Sequence, residues 1–121
     1  MLVVRGIRGA TTVERDCPED ITEAATELLH EIVKRNEIEL DDVVAVIFTA
    51  TKDLSSAYPA VAARKMGWNH IPLLCCQEMA VAEALPRCIR VLMLANTRLA
   101  IQDVRHVYLR GAKCLRTDIS G

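Results

Sequence analysis

The chain of 121 residues matches the common size of one domain, so the expectation is a single domain over residues 1–121 with no second core. A hydrophobic share of 51%, a charged share of 26% and nine residues of Gly plus Pro exclude disordered, collagen-like and low-complexity chains. Fifteen basic against sixteen acidic residues leave a net charge of −1, which supplies no field to draw in nucleic acid.

From the N-terminus, Leu2 to Arg8 is β-branched and apolar and reads as a strand that stops at the Gly9-Ala10-Thr11-Thr12 break. Helical periodicity takes over at residues 18 to 35. Pro18 suits a first helical position behind Asp16 or Cys17 as cap, with Glu19, Asp20 and Glu23 at the positive end of the dipole. Ile21, Ala25, Leu28 and Ile32 form one apolar stripe, and Lys34-Arg35-Asn36 ends it. Val43 to Ala50 is a continuous apolar run, predicted to be a central strand buried on both faces. Ser55 or Ser56 caps a short helix over about 57 to 66, closed by Gly67. Ile71 to Cys76, Cys88 to Asn96 and Val104 to Leu109 read as further strands; Glu78 to Arg87 is ambiguous, and Arg116 to Gly121 is a polar tail. The class is therefore α+β with an α/β-like order: a mixed sheet of about five strands, one long and one short helix, and the helices mainly on one face.

The five cysteines are odd in number and include no CxxC, and the opening MLVVRGIRG lacks the long apolar stretch of an export signal. Apolar runs such as Val43 to Phe48 fall well short of the ~20 residues of a membrane span. These features point to a cytoplasmic protein with reduced thiols and no membrane partner. The apolar share also leaves surplus greasy surface, a mild argument for self-association. Eleven arginines against four lysines give a weak pointer to anionic small molecules, which a planar fork grips at two points. GC-rich coding and surface solubility explain the same skew.

Most familiar chemistry is missing. No phosphate loop, GxGxxG, GxSxG or HExxH is present, and His30, His70 and His106 have no metal-ligand spacing and read as surface or structural groups. Serines occur only at 55, 56 and 120, which leaves little room for a serine nucleophile with a histidine base. Arg90 stands out within Cys88-Ile89-Arg90-Val91-Leu92-Met93-Leu94. Strand alternation puts its guanidinium on the face of Cys88, Leu92 and Leu94, where it either reaches water from an edge or waits in a pocket for an anion. Arg8, Glu78 and Tyr108 sit at other strand ends, and with Arg64, Arg116 and Cys75 they form an inventory rich in donors and poor in groups that shuttle protons near neutrality.

The segments Arg5-Gly6-Ile7-Arg8-Gly9-Ala10-Thr11-Thr12-Val13-Glu14, Cys75-Cys76-Gln77-Glu78-Met79, Pro86-Arg87-Cys88-Ile89-Arg90-Val91 and Arg105-His106-Val107-Tyr108-Leu109 resemble the small monofunctional chorismate mutases of the trimeric pseudo-α/β-barrel class, nearly end to end. The resemblance implies the [3,3] Claisen rearrangement of chorismate to prephenate on the way to phenylalanine and tyrosine, with no cofactor. It also implies a homotrimer whose sites lie between subunits. By matching motif, Arg90 would face the ether oxygen and one carboxylate, while Arg8 and Tyr108 would bind the side-chain carboxylate. Glu78 would accept from the ring hydroxyl and orient Arg90, with Cys75 near that same hydroxyl. Arg64, and Arg116 in the tail, would cover the ring carboxylate; Tyr58 and Leu115 would form apolar walls, with Leu74 also at the substrate. The chain departs from the family pattern in having Tyr58 for a frequent Phe, Val61 for a frequent Lys, and Leu74 for a hydroxyl residue.

Two other readings compete. Small enamine/imine deaminases of related trimeric architecture also hold a carboxylate with an interface arginine, but RGIRGATT, CIRV and RHVYL fit the mutases. A non-catalytic trimeric module that binds a carboxylate metabolite would keep Arg8 and Tyr108 yet have no need of Arg90 and Glu78 together.

Overall fold

A computed structural model of the chain describes residues 1–115. Five strands and two helices follow in the order β1 (Val3–Thr12), α1 (Pro18–Arg35), β2 (Val43–Ala50), α2 (Ala60–Lys65), β3 (Leu73–Gln77), β4 (Cys88–Thr97) and β5 (Val107–Tyr108), with short 3-10 turns between some of them. The strands form one mixed sheet in the order β3-β2-β4-β1-β5. β4 runs antiparallel to β1 and β2, while β3 is parallel to β2 and β5 is parallel to β1. The mixed five-stranded sheet with one long and one short helix is the architecture expected.

α1 begins and ends where its sequence says it should. Pro18 sits in the first turn with Glu19 and Asp20, and Lys34 and Arg35 close the last turn. Cys17 occupies the cap position without a side-chain bond. Asp16 instead accepts the amides of Ser55 and Ser56 at 3.0 to 3.2 Å, tying the start of α1 to the loop before α2. The predicted serine cap is therefore corrected: those residues donate to Asp16, and α2 starts only at Ala60 behind Pro59. Gly67 does close the helix, with φ +87.

The largest difference from the sequence reading is in β1, which runs on through Gly9, Ala10, Thr11 and Thr12. Gly9 lies beneath α1, where a Cβ would come within 2.8 Å of Ile32 Cδ1 and 3.0 Å of Leu28 Cδ1. Its lack of a side chain lets the helix approach the sheet, so a residue type that reads as a break is a packing device. Gly9→Ala should cost about 1–3 kcal/mol of stability through overpacking, read as a lower urea midpoint at unchanged slope.

Both helices cover one face. Ile7, Val46, Phe48, Val91, Met93 and Val107 pack there against Leu28, Ile32 and Ala63. β2 is thus not buried on both faces as its continuous apolar run suggested: Val46 and Phe48 are fully buried, whereas Val44 is 41% exposed and Ile47 and Thr49 are half-buried. The uncovered face carries Val4, Leu74 and Leu92, all exposed, beside half-buried Ile47 and Leu94. The last predicted strand shrinks to Val107–Tyr108, because Asn36 takes the Arg105 backbone at both ends, accepting from its amide and donating to its carbonyl.

Candidate active site

The register lays a row of side chains across the uncovered face. Thr49 of β2 pairs with Arg90 of β4, Arg90 with Ala10 of β1, and Ala10 with Tyr108 of β5. Paired positions share a face, so adjacent members stand about 5 Å apart along the row. Arg8, two residues before Ala10, joins them; its amide donates to His106 Nδ1 at 2.9 Å. Arg90 stands on the face that alternation predicted, with Cys88, Leu92 and Leu94, while Ile89, Val91 and Met93 face the core. Tyr108 is buried in a small cluster with Ala10, Cys88 and Ala112, and Leu115 packs against it.

Glu78 follows the end of β3, its amide donating to the Ala50 carbonyl at 2.9 Å. Its carboxylate meets three donors. Oε1 accepts the Thr49 hydroxyl at 2.8 Å and lies 3.2 Å from Arg90 Nε, and Oε2 accepts the Met79 amide at 3.2 Å. Arg90 remains 44% exposed and Glu78 27%, so the ion pair adds little to stability; its effect is to fix the direction of the guanidinium.

The start of β4 is clamped as well. Arg87 has φ +45, a left-handed backbone that is costly for a side chain with a Cβ. Its amide donates to both oxygens of Asp53, at 3.0 and 3.2 Å, and its Nε donates to the Val13 carbonyl at 3.1 Å. Thr51 donates to Asp53 and accepts the Cys88 amide at 3.0 Å. Burial pushes the Asp53 carboxyl up, but the Thr51 and Arg87 bonds outweigh it and hold the group below the usual carboxylate value. Arg90 is thereby fixed from both directions, by Glu78 at its side chain and by this clamp three residues upstream.

A second group of candidates lies elsewhere. Cys75 pairs with Phe48, so it faces the helices rather than the Arg90 side of the sheet. Burial pushes its thiol up, and the Ala60 amide and the Arg64 charge oppose that only in part. Tyr58, 69% exposed, lines a surface cavity of about 460 Å3 with Pro59, Cys75, Cys76 and Gln77. Arg64 is exposed in the last turn of α2. Leu74 is 57% exposed on the open face opposite Ile47.

One chain therefore brings Arg8, Arg90, Glu78, Tyr108 and Leu115 to one side, and Tyr58, Arg64 and Cys75 to the other. The assignment of Cys75 and Glu78 to one hydroxyl is not met within a single chain, because alternation in β3 turns Cys75 away. Arg116 lies outside the described residues.

Sequence reasoning missed Thr49, Thr51 and Asp53. Thr49 had a visible signal, a hydroxyl within the otherwise apolar run Val43 to Ala50, but its partner follows only from the β2–β4 register. Among the described residues no group of three or more His, Cys, Asp or Glu could hold a metal ion, and no helix is long and apolar enough to cross a membrane. What the first group offers is a fixed, permanently charged donor beside a carboxylate acceptor. Such a site can hold an anion and stabilise negative charge that develops during a reaction.

Comparison with known proteins gives the same direction. The chorismate mutase AroH of Thermus thermophilus is 52% identical over 118 residues, covering 97% of both chains. The chorismate mutase AroH of Bacillus subtilis is 44% identical over 120 residues, covering 98% of this chain and 94% of the relative. A solved chorismate mutase from Clostridium thermocellum superimposes with a TM-score of 0.90 at 46% identity, covering 91% of this chain and 98% of that one. The family model for chorismate mutase type I matches residues 4–119, and the chain belongs to that family.

Proposed function

We propose that this chain is an isomerase that converts chorismate to prephenate in aromatic amino-acid biosynthesis, working as one domain in the cytoplasm without a cofactor. The reaction is unimolecular: a carbon–carbon bond forms between the enolpyruvyl group and the ring while the ether C–O bond breaks, and no proton need move. Negative charge gathers on the ether oxygen in the chair-like transition state. The observation that carries the reading is Arg90, held by Glu78 in a fixed direction with much of its side chain open to a ligand.

A guanidinium cannot lose its proton and is already oriented, so it stabilises that oxygen more than it stabilises the ground state. One well-aimed donor of this kind is worth about 3–4 kcal/mol. Arg8 and Tyr108, in or beside the same row, suit the side-chain carboxylate, and holding the diaxial conformer removes further entropy from the barrier. Glu78 Oε2 suits the ring hydroxyl as acceptor, with Leu115 as an apolar wall.

The remaining candidates fit a homotrimer. Its uncovered apolar sheet face would be buried between subunits, and the Tyr58, Arg64, Cys75 and Leu74 region of one subunit would meet the Arg90 row of the next. Arg64, with Arg116, would then cover the ring carboxylate. In this arrangement Cys75 approaches the ring hydroxyl as a neutral thiol, so Cys75→Ser should hold turnover within about tenfold of wild type, a neutral hydrogen bond's worth. A loss of several orders of magnitude in a folded variant would remove Cys75 from this role.

The reading is tested by following chorismate absorbance with purified protein and identifying prephenate through its acid conversion to phenylpyruvate. Fast conversion is expected. Binding of chorismate without turnover would point instead to a carboxylate-binding module, and neither binding nor turnover to another substrate.

A further inference from the structure

We infer that Thr49 is a positioning residue for the rearrangement, acting through Glu78 on Arg90; the inference rests on the chorismate mutase reading. Thr49 and Arg90 are register partners on adjacent strands, so their side chains rise side by side from the open face. Both converge on one atom. The Thr49 hydroxyl reaches Glu78 Oε1 at 2.8 Å, and Arg90 Nε lies 3.2 Å from that same oxygen.

The Thr49 hydroxyl fills one lone pair of Oε1 with a hydrogen bond, and the Arg90 guanidinium pairs with the same oxygen by charge. Oε2 has the Met79 amide at 3.2 Å as its donor in the fold, which leaves one lone pair for a substrate hydroxyl. Thr49 thus decides which oxygen is held against the Arg90 guanidinium and which faces the ligand. Without its proton, Oε1 has an unfilled lone pair, the carboxylate can rotate about its terminal torsion, and the guanidinium loses a fixed counterpart. The β-branched side chain suits the task because a strand restricts its χ1, so the hydroxyl is aimed before substrate arrives. Thr49 touches neither the reacting atoms nor the charge that develops; its effect passes through the carboxylate.

The test is a set of variants assayed on chorismate beside wild type. Thr49→Val keeps the shape and removes the donor, and should lower kcat by about 10- to 100-fold, the worth of a hydrogen bond to a charged group, with a smaller change in KM. Thr49→Ser should restore most of the loss. In a Glu78→Gln background, Thr49→Val should add little further loss, since the partner it positions is already altered. Thermal unfolding checks each fold, with Thr49→Ala as a second donorless variant should valine not fit. Wild-type turnover in a folded donorless variant, equal losses for Ser and Val, or losses that multiply fully with Glu78→Gln would each overturn the assignment of Thr49. An inactive wild-type protein would instead overturn the mutase reading beneath it.

Discussion

Arg90→Ala is expected to fold and assemble normally yet lose about 10^3-fold or more in turnover of chorismate, roughly 4 kcal/mol of transition-state stabilisation. The loss should lie mainly in kcat, because the charge that Arg90 meets exists chiefly in the transition state. Arg90→Lys should recover little. The guanidinium pairs with Glu78 through its Nε side at 3.2 Å and has further N–H groups at its far end for a ligand, whereas an ammonium is a point charge that cannot both sit beside Glu78 and reach past it. Steady-state kinetics with each variant decides the matter, and near-native turnover in either would remove Arg90 from the ether oxygen.

The second large effect is a gain. If each site joins the Arg90 row of one subunit to the Arg64 region of the next, Arg90→Ala and Arg64→Ala damage different halves. Each variant alone should be nearly inactive. Unfolded together in equal amounts and refolded, they should return about a quarter of wild-type activity, because about one site in four then draws both halves from undamaged surfaces. No recovery would mean that each chain supplies its whole site, and the face assignments of Cys75 and Arg90 would have to change.

How much of this was open to reading depends on whether a residue's partner is near in sequence. α1 was legible from end to end because its signals are local: Pro18 and acids at one end, Lys34 and Arg35 at the other, and the apolar stripe between. The face of Arg90 was legible too, since alternation needs only its neighbours. β1 was cut short at Gly9 because the reason for that glycine, α1 pressing on it, lies over fifteen residues downstream at Leu28 and Ile32. Asp16, read as a helix cap, serves a loop some forty residues away. At the site, Glu78 and Arg90 were joined only through family resemblance; nothing in periodicity brings a residue after β3 to the middle of β4. Thr49, Thr51 and Asp53 needed the pairing of β2 with β4, which a single sequence does not disclose.

The position of β1 within the sheet has a consequence for how the chain comes to be folded. Val3 pairs with Thr97 and Thr12 with Cys88, so the ladder closes loops of ninety-four residues at one end and seventy-six at the other. β1 is made well before its two partners, β4 and β5. α1 can form while synthesis continues, because its bonds are local, but the sheet cannot close until β4 exists. Until then the exposed edges and apolar face of β1 stand open to wrong partners, and a chain cut short before residue 97 would lack part of the strand that joins β1 to β2. Closure of the sheet therefore waits on β4, is slow compared with formation of the helix, and leaves β1 open to aggregation until residue 97 has been made.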